Sequence, residues 1–319
     1  MNIVRTLACI ALSLVAANAS AQWPNGKPVR LIIPFPAGSA TDTVGRILGQ
    51  SVSTAIGQAV LVENKAGADG AIAGQEVAKA APDGQTLLLA TNSPIAVVPA
   101  LRKSPPYDPV TDFTPIADVG RYTFFLFANA SLPVKSFTEL VAYAKANPGK
   151  LAYATGNTTG IVSFAQMNSL AGIQMLHVPY KGEPAAITDL IGGRVNLIWA
   201  TPTTGLSHVK DGKLRALVTS LKQRSPILPD VPTIAEAGLP KFSILSWAAL
   251  YGPGKMPKDL TDRINKEFVA AMKRPDVMAA MEKQAFILTP STPEELATFT
   301  KEQIDEYRRI IRASGIQAE

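Results

Sequence analysis

The chain has 319 residues, 47% of them apolar, with 31 Lys and Arg against 25 Asp and Glu and a formal net charge of +6. That length can bury the cores of two domains, and a mild basic excess with no basic run interleaved with aromatics argues against nucleic acid as a partner. A single cysteine and two histidines exclude a disulfide framework and argue against a transition-metal site or a metal cofactor.

In chain order, Arg5, the apolar run Leu7–Val15 and the small residues Ala19-Ser20-Ala21 read as a secretory signal peptide over residues 1–21, cut before Gln22. The apolar run is too short to span a bilayer. Cleavage removes Cys9 and, with Arg5, lowers the formal charge from +6 to +5. Val29–Ile33 is then a short, mainly apolar run, the pattern of a buried parallel strand. Pro34 and Pro36 stop it, and Ser39, Thr41 and Asp42 offer caps for a helix whose apolar positions are Val44, Ile47, Leu48, Val52 and Ile56. Such a strand–turn–helix leaves backbone N–H groups unpaired at the positive end of a helix, which suits an anion.

Ala59–Val62 and Leu87–Ala90 are further strands, and the latter ends in Asn92 and Ser93, which read either as pocket residues or as caps of the next turn. The Gly- and Ala-rich stretch 67–74 lacks the G-x-G-x-x-G spacing of a dinucleotide loop. Residues 102–115 are proline-rich and irregular, and Phe124–Ala128 is a strand crossing into a second domain. There Phe137–Ala146 is a helix opened by Ser136. Strand Leu151–Ala154, followed by Gly156-Asn157-Thr158-Thr159 and a helix through Leu170, repeats the opening design. Two such turns, one per domain, are expected to clamp one anion between them. Strands Leu176–Val178, Val195–Ala200 and Leu214–Thr219 follow, with a helix at Ala185–Ile191 carrying Asp189. Phe242–Tyr251 returns the chain to the first domain, and amphipathic helices Leu260–Lys273 and Pro293–Ala313 pack on it as a cap. The division is 22–126 plus 245–319 for one lobe and 127–244 for the other, with hinges expected at Phe125–Asn129 and Trp247–Tyr251. There is no G-x-S-x-G elbow and no Walker loop, and no base, nucleophile and metal set that an enzyme would need.

Five blocks carry a family resemblance: Pro34–Gly38 with Asp42; Val62–Gly70; Val77–Leu88; Val178-Pro179-Tyr180-Lys181-Gly182; and Asp230–Gly238. In this order they resemble the periplasmic solute-binding proteins of tripartite tricarboxylate transporters, the TctC or Bug family. The resemblance implies an α/β, periplasmic-binding-protein type II (venus-flytrap) fold, with two lobes of mixed, mainly parallel sheets joined by two crossover strands. It implies a periplasmic, monomeric receptor without cofactor that delivers a small organic carboxylate to a membrane permease. Sensing for a signalling partner and, further off, an exported carboxylate-processing enzyme are the alternatives.

The expected ligand contacts are Phe35, Ala37, Gly38 and Ser39, then Asn92 and Ser93, in the first lobe, and Gly156, Asn157, Thr158 and Thr159 in the second. Tyr180, Lys181, Asp189, Trp199 and Thr201 are expected at the far end of the ligand. Two departures stand out. Ser39 and Ala40 occupy the region where the family usually carries a second glycine, and Ser163–Met167 replaces a stretch that often carries a histidine and a glutamate.

Overall fold

The computed structural model describes residues 23–316, so the signal peptide expected over residues 1–21 lies outside the described residues. The chain begins β1 (Val29–Ile33), α1 (Ala40–Ile56), β2 (Val60–Asn64), α2 (Ala71–Ala78), β3 (Thr86–Thr91), α3 (Val98–Leu101), β4 (Phe113–Tyr122) and β5 (Phe125–Asn129). It continues through α4 (Phe137–Ala146), β6 (Ala152–Thr155), α5 (Thr158–Ala171), β7 (Leu176–Pro179), α6 (Glu183–Ile191), β8 (Leu197–Ala200), α7 (Pro202–Lys210) and β9 (Leu214–Thr219). It ends with β10 (Trp247–Pro253), α8 (Lys258–Met272), α9 (Pro275–Lys283), β11 (Phe286–Leu288) and α10 (Pro293–Ala313). Two lobes form, one around the sheet β11-β4-β10-β3-β1-β2 and one around the sheet β7-β6-β8-β5-β9.

Local chemistry sets the two turns read from the sequence. Val29, Leu31, Ile32 and Ile33 are buried, so β1 is apolar without alternation, and it ends where Pro34 withdraws its N–H. The Ser39 hydroxyl accepts from the Asp42 N–H and caps α1, which closes on Gly57 at φ 64°. Asn157 repeats the device, its Oδ1 accepting from Gly160 N, and α5 closes on Gly172 at φ 63°.

The sheets are less parallel than the sequence suggests. β1–β2, β1–β3, β6–β7 and β6–β8 are parallel, whereas β5 runs antiparallel to β8 and β9, and β10 antiparallel to β3 and β4. Both β5 and β10 enter their sheet from the other lobe, so no βαβ crossover imposes a parallel direction on them. They are fully buried central strands, not the hinges expected at Phe125–Asn129 and Trp247–Tyr251. The crossings precede them, at residues 123–124 and within 220–246, and lie side by side: Tyr122 N donates to Ser246 O at 3.0 Å and Ser220 N to Phe124 O at 2.9 Å.

Five elements escape the sequence pattern: α3, β4, α7, α9 and β11. β4 carries Asp118, buried and paired with Arg121, and Gly120, where a Cβ would collide with the Ile287 carbonyl oxygen. α7 reads as a Thr- and Gly-rich turn, but Pro202 starts it as a helix and Gly205 lets it sit against the Phe127 ring. The C-terminal cap also reaches further than expected, since α10 packs on β4 and touches α5 of the other lobe. Among the described residues no helix is long and apolar enough to cross a membrane.

Candidate functional site

A narrow cavity lies between the lobes. Four helix starts meet on it: Ser39, Ala40 and Thr41 of α1, Asn157 and Thr159 of α5, Gly182 and Glu183 of α6, and Thr201 before α7. The sequence pointed to two of these. Phe35, Thr91, Asn92, Tyr122, Phe124, Gly156 and Ser246 complete the wall, which contains no Lys or Arg. Any charge it holds is therefore met by neutral donors and helix dipoles.

The first turn uses its donors differently from expectation. Gly38 N donates to Asp42 Oδ2 at 3.0 Å and Ser39 N to Pro36 O at 3.2 Å, so neither N–H is open to a ligand. Burial works against the Asp42 charge, but Arg46, the Gly38 N–H and Asn64 outweigh it and hold the carboxyl below its ordinary range. Gly38 at φ 80° supplies the left-handed step that brings its N–H to Asp42, and Ala37 and Gly38 are exposed rather than lining the cavity. The N–H groups with no partner among the described residues are one step further on, at Ala40 and Thr41. In the second lobe the corresponding groups are those of Thr158 and Thr159.

Four of the expected contact residues bind each other across the cleft. Asn92 Nδ2 donates to Thr159 Oγ1 at 2.5 Å and to Tyr307 Oη at 2.8 Å, while its Oδ1 accepts from Trp247 N at 3.4 Å. The Ser93 and Thr158 hydroxyls share a hydrogen bond of 2.5 Å, are buried, and do not reach the cavity. Buried hydroxyl and amide groups need such partners, and here the partner is the other lobe. Gln166 ties α5 to the returning crossing: Nε2 donates to Ser243 Oγ at 3.2 Å and Oε1 accepts from Ser243 N at 3.1 Å. Gly182 completes the closure, since a Cβ there would stand 2.9 Å from Pro36 Cδ and Cγ.

The residues expected at the far end of the ligand separate into three places. Thr201 lines the cavity. Tyr180 and Lys181 lie in an outer hollow, divided from the cavity by Phe35 and Gly156, which line both spaces. Asp189 accepts from Tyr180 Oη and from Arg194 Nη1, both at 2.7 Å, outside the cavity. Trp199 is 1% exposed and stacks on Phe242 with centroids 5.5 Å apart, so it belongs to the interior of its lobe.

Sequence reasoning did not count Ala40, Thr41, Thr91, Tyr122, Phe124, Gly182, Glu183 and Ser246 among the contacts. Glu183 directly follows Tyr180-Lys181-Gly182, and its position after a glycine before a helical run was the available signal. Its Oε2 accepts from Thr201 N at 3.1 Å, Thr201 Oγ1 at 2.7 Å and Thr204 Oγ1 at 3.0 Å. It thereby caps α7 from a neighbouring helix. Burial pushes its carboxyl above the ordinary range, against those three donors, which favour the ion.

With the geometry in view, similarity to known proteins can be placed. A family model described as tripartite tricarboxylate transporter family receptor matches residues 44–316. Protein BugT of Bordetella pertussis is 34% identical over 325 residues, covering 99% of each chain. Among solved structures, R. palustris Rpa4515 with adipate superposes with a TM-score of 0.89 at 29% identity, covering 93% of this chain and 99% of that one. MatC from Rhodopseudomonas palustris with bound malate gives 0.84 at 29% identity, covering 89% and 99%.

Proposed function

This chain belongs to the tripartite tricarboxylate transporter receptor family, and from that premise we propose that it captures a small organic carboxylate between its lobes in the periplasm and delivers it to a membrane permease. The observation that carries this reading is the meeting of four helix starts on a cavity without a basic side chain. Unpaired N–H groups at Ala40, Thr41 and Thr159 satisfy carboxylate lone pairs without burying a cation. The family relatives bound to adipate and to malate are consistent with this ligand class. The lobes divide at the crossings at residues 123–124 and within 220–246, close to the expected 126/127 and 244/245, the chain acts as a monomer, and capture involves no turnover.

The test is a thermal-shift panel of mono-, di- and tricarboxylates. At least one is expected to raise the melting temperature by several degrees, since a ligand at about 100 times its Kd adds about 2.7 kcal/mol of stability, and to emerge unchanged on incubation. A protein stabilised only by neutral or cationic solutes would contradict the ligand class, and conversion of the bound acid would contradict the receptor reading.

Export has its own test. N-terminal sequencing of the mature protein from the periplasmic fraction is expected to begin at Gln22. A mature chain that retains Arg5, or carries lipid on Cys9, would contradict it.

A further inference from the structure

Glu183 is the one acidic residue lining the cavity among the described residues, and capture of a carboxylate does not call for it. A second negative group beside the helix starts opposes an anionic ligand, unless something else meets it. The side chain is 7% exposed. Its Oε2 is fixed by the Thr201 N–H and by the Thr201 and Thr204 hydroxyls. Its Oε1 accepts no hydrogen bond among the described residues, and the residue lines the cavity. A carboxylate oxygen in so enclosed a place calls for a donor.

No group among the described residues provides one. Tyr122 is the other titratable residue lining the cavity, and its hydroxyl donates to Thr41 Oγ1 at 3.0 Å. The elements packed against α6 are β5, β6, β8 and α7. Their titratable side chains are Tyr153, His208 and Lys210. Tyr153 stacks between Phe164 and His177, His208 lines an outer hollow with Pro184, and Lys210 is exposed. On α1, Asp42 and Arg46 pair with each other, and Lys181 lies in the other outer hollow.

We propose that the ligand itself brings the donor: it is a carboxylate that also carries a protonated amine, which Glu183 Oε1 accepts while the helix starts hold the carboxylate. This deepens the reading of the cavity as a carboxylate site and rests on it. Charge then balances inside the cleft, ligand ammonium against Glu183 and ligand carboxylate against the N–H groups. The selectivity is for amino acids over plain acids of the same skeleton.

The experiment measures affinity by calorimetry for matched pairs: alanine and propionate, aspartate and succinate, glutamate and glutarate, 3-(aminomethyl)benzoate and 3-methylbenzoate. At pH 7.5 at least one amino member is expected to bind about tenfold or more tighter than its partner, a difference of about 1.4 kcal/mol. Its affinity falls on acidification, as Glu183 protonates and ceases to accept. A plain dicarboxylate shows the opposite trend, because protonation removes the repulsion. Glu183→Gln keeps an oxygen for Thr201 and Thr204, and it is expected to abolish the preference. The wild-type pairs and their pH dependence decide the matter even if the variant folds poorly. Plain acids that bind as well as or better than their amino partners, and tighter at low pH, overturn the inference and leave the carboxylate site standing. If no member of the panel binds, the carboxylate reading falls and the inference with it.

Discussion

Ala40→Pro is expected to weaken binding of the cognate carboxylate by about 100-fold without unfolding the protein. Ala40 is the first residue of α1, a position where the N–H has no helical partner and where proline is well accommodated. Ser39 before it already has φ −71° and ψ 160°, the extended backbone that a following proline demands. The substitution therefore removes one unpaired donor lining the cavity and nothing from the helix. A hydrogen bond to a charged group is worth about 1.5–3 kcal/mol, and its upper range corresponds to about 100-fold in Kd. The melting temperature of the ligand-free protein is expected to stay within a few degrees of wild type. Ala40→Gly, which keeps the N–H, is the control and is expected to bind within about threefold of wild type. Unchanged affinity in Ala40→Pro would remove the α1 start from the binding site.

Gly182→Ala is expected to weaken binding by about tenfold or more through closure rather than contact. The backbone at Gly182 is extended, φ 174°, so alanine carries no conformational penalty there. The added methyl would stand 2.9 Å from two ring atoms of Pro36, in the opposite lobe, and a proline ring cannot rotate aside. The clash exists only when the lobes are together, so stability without ligand is expected to change little while the closed complex opens slightly. Small-angle scattering of the ligand-saturated variant is expected to give a larger radius of gyration than wild type. Equal affinity and equal radius would show that the Pro36–Gly182 contact does not limit closure.

What the sequence disclosed, and what it hid, follows from the range of the interactions. The caps at Ser39, Ser136 and Asn157 were legible because each is a side chain bonding its own backbone three residues on. Strands β1 and β3 were legible from the apolar residues Leu31–Ile33 and Leu87–Ala90 at their centres. β4 was not, because its buried Asp118 reads as a surface residue until Arg121 and Thr289 are seen beside it. The pairs Asn92–Thr159 and Ser93–Thr158 joined residues already singled out, but from opposite lobes, and only the fold shows that they bind each other. Glu183 was passed over for a similar reason. Its partners Thr201 and Thr204 belong to another helix, so its place as the cap of α7 has no local signature.

The most direct measurement is a crystal structure with the carboxylate that produces the largest thermal shift. The account predicts that its carboxylate oxygens lie about 3 Å from the N–H groups of Ala40 and Thr41, facing the start of α5, with Asn92 and Thr159 in contact above it. A ligand seated outside the interlobe cavity, or within it but with its carboxylate turned from both helix starts, would contradict the account.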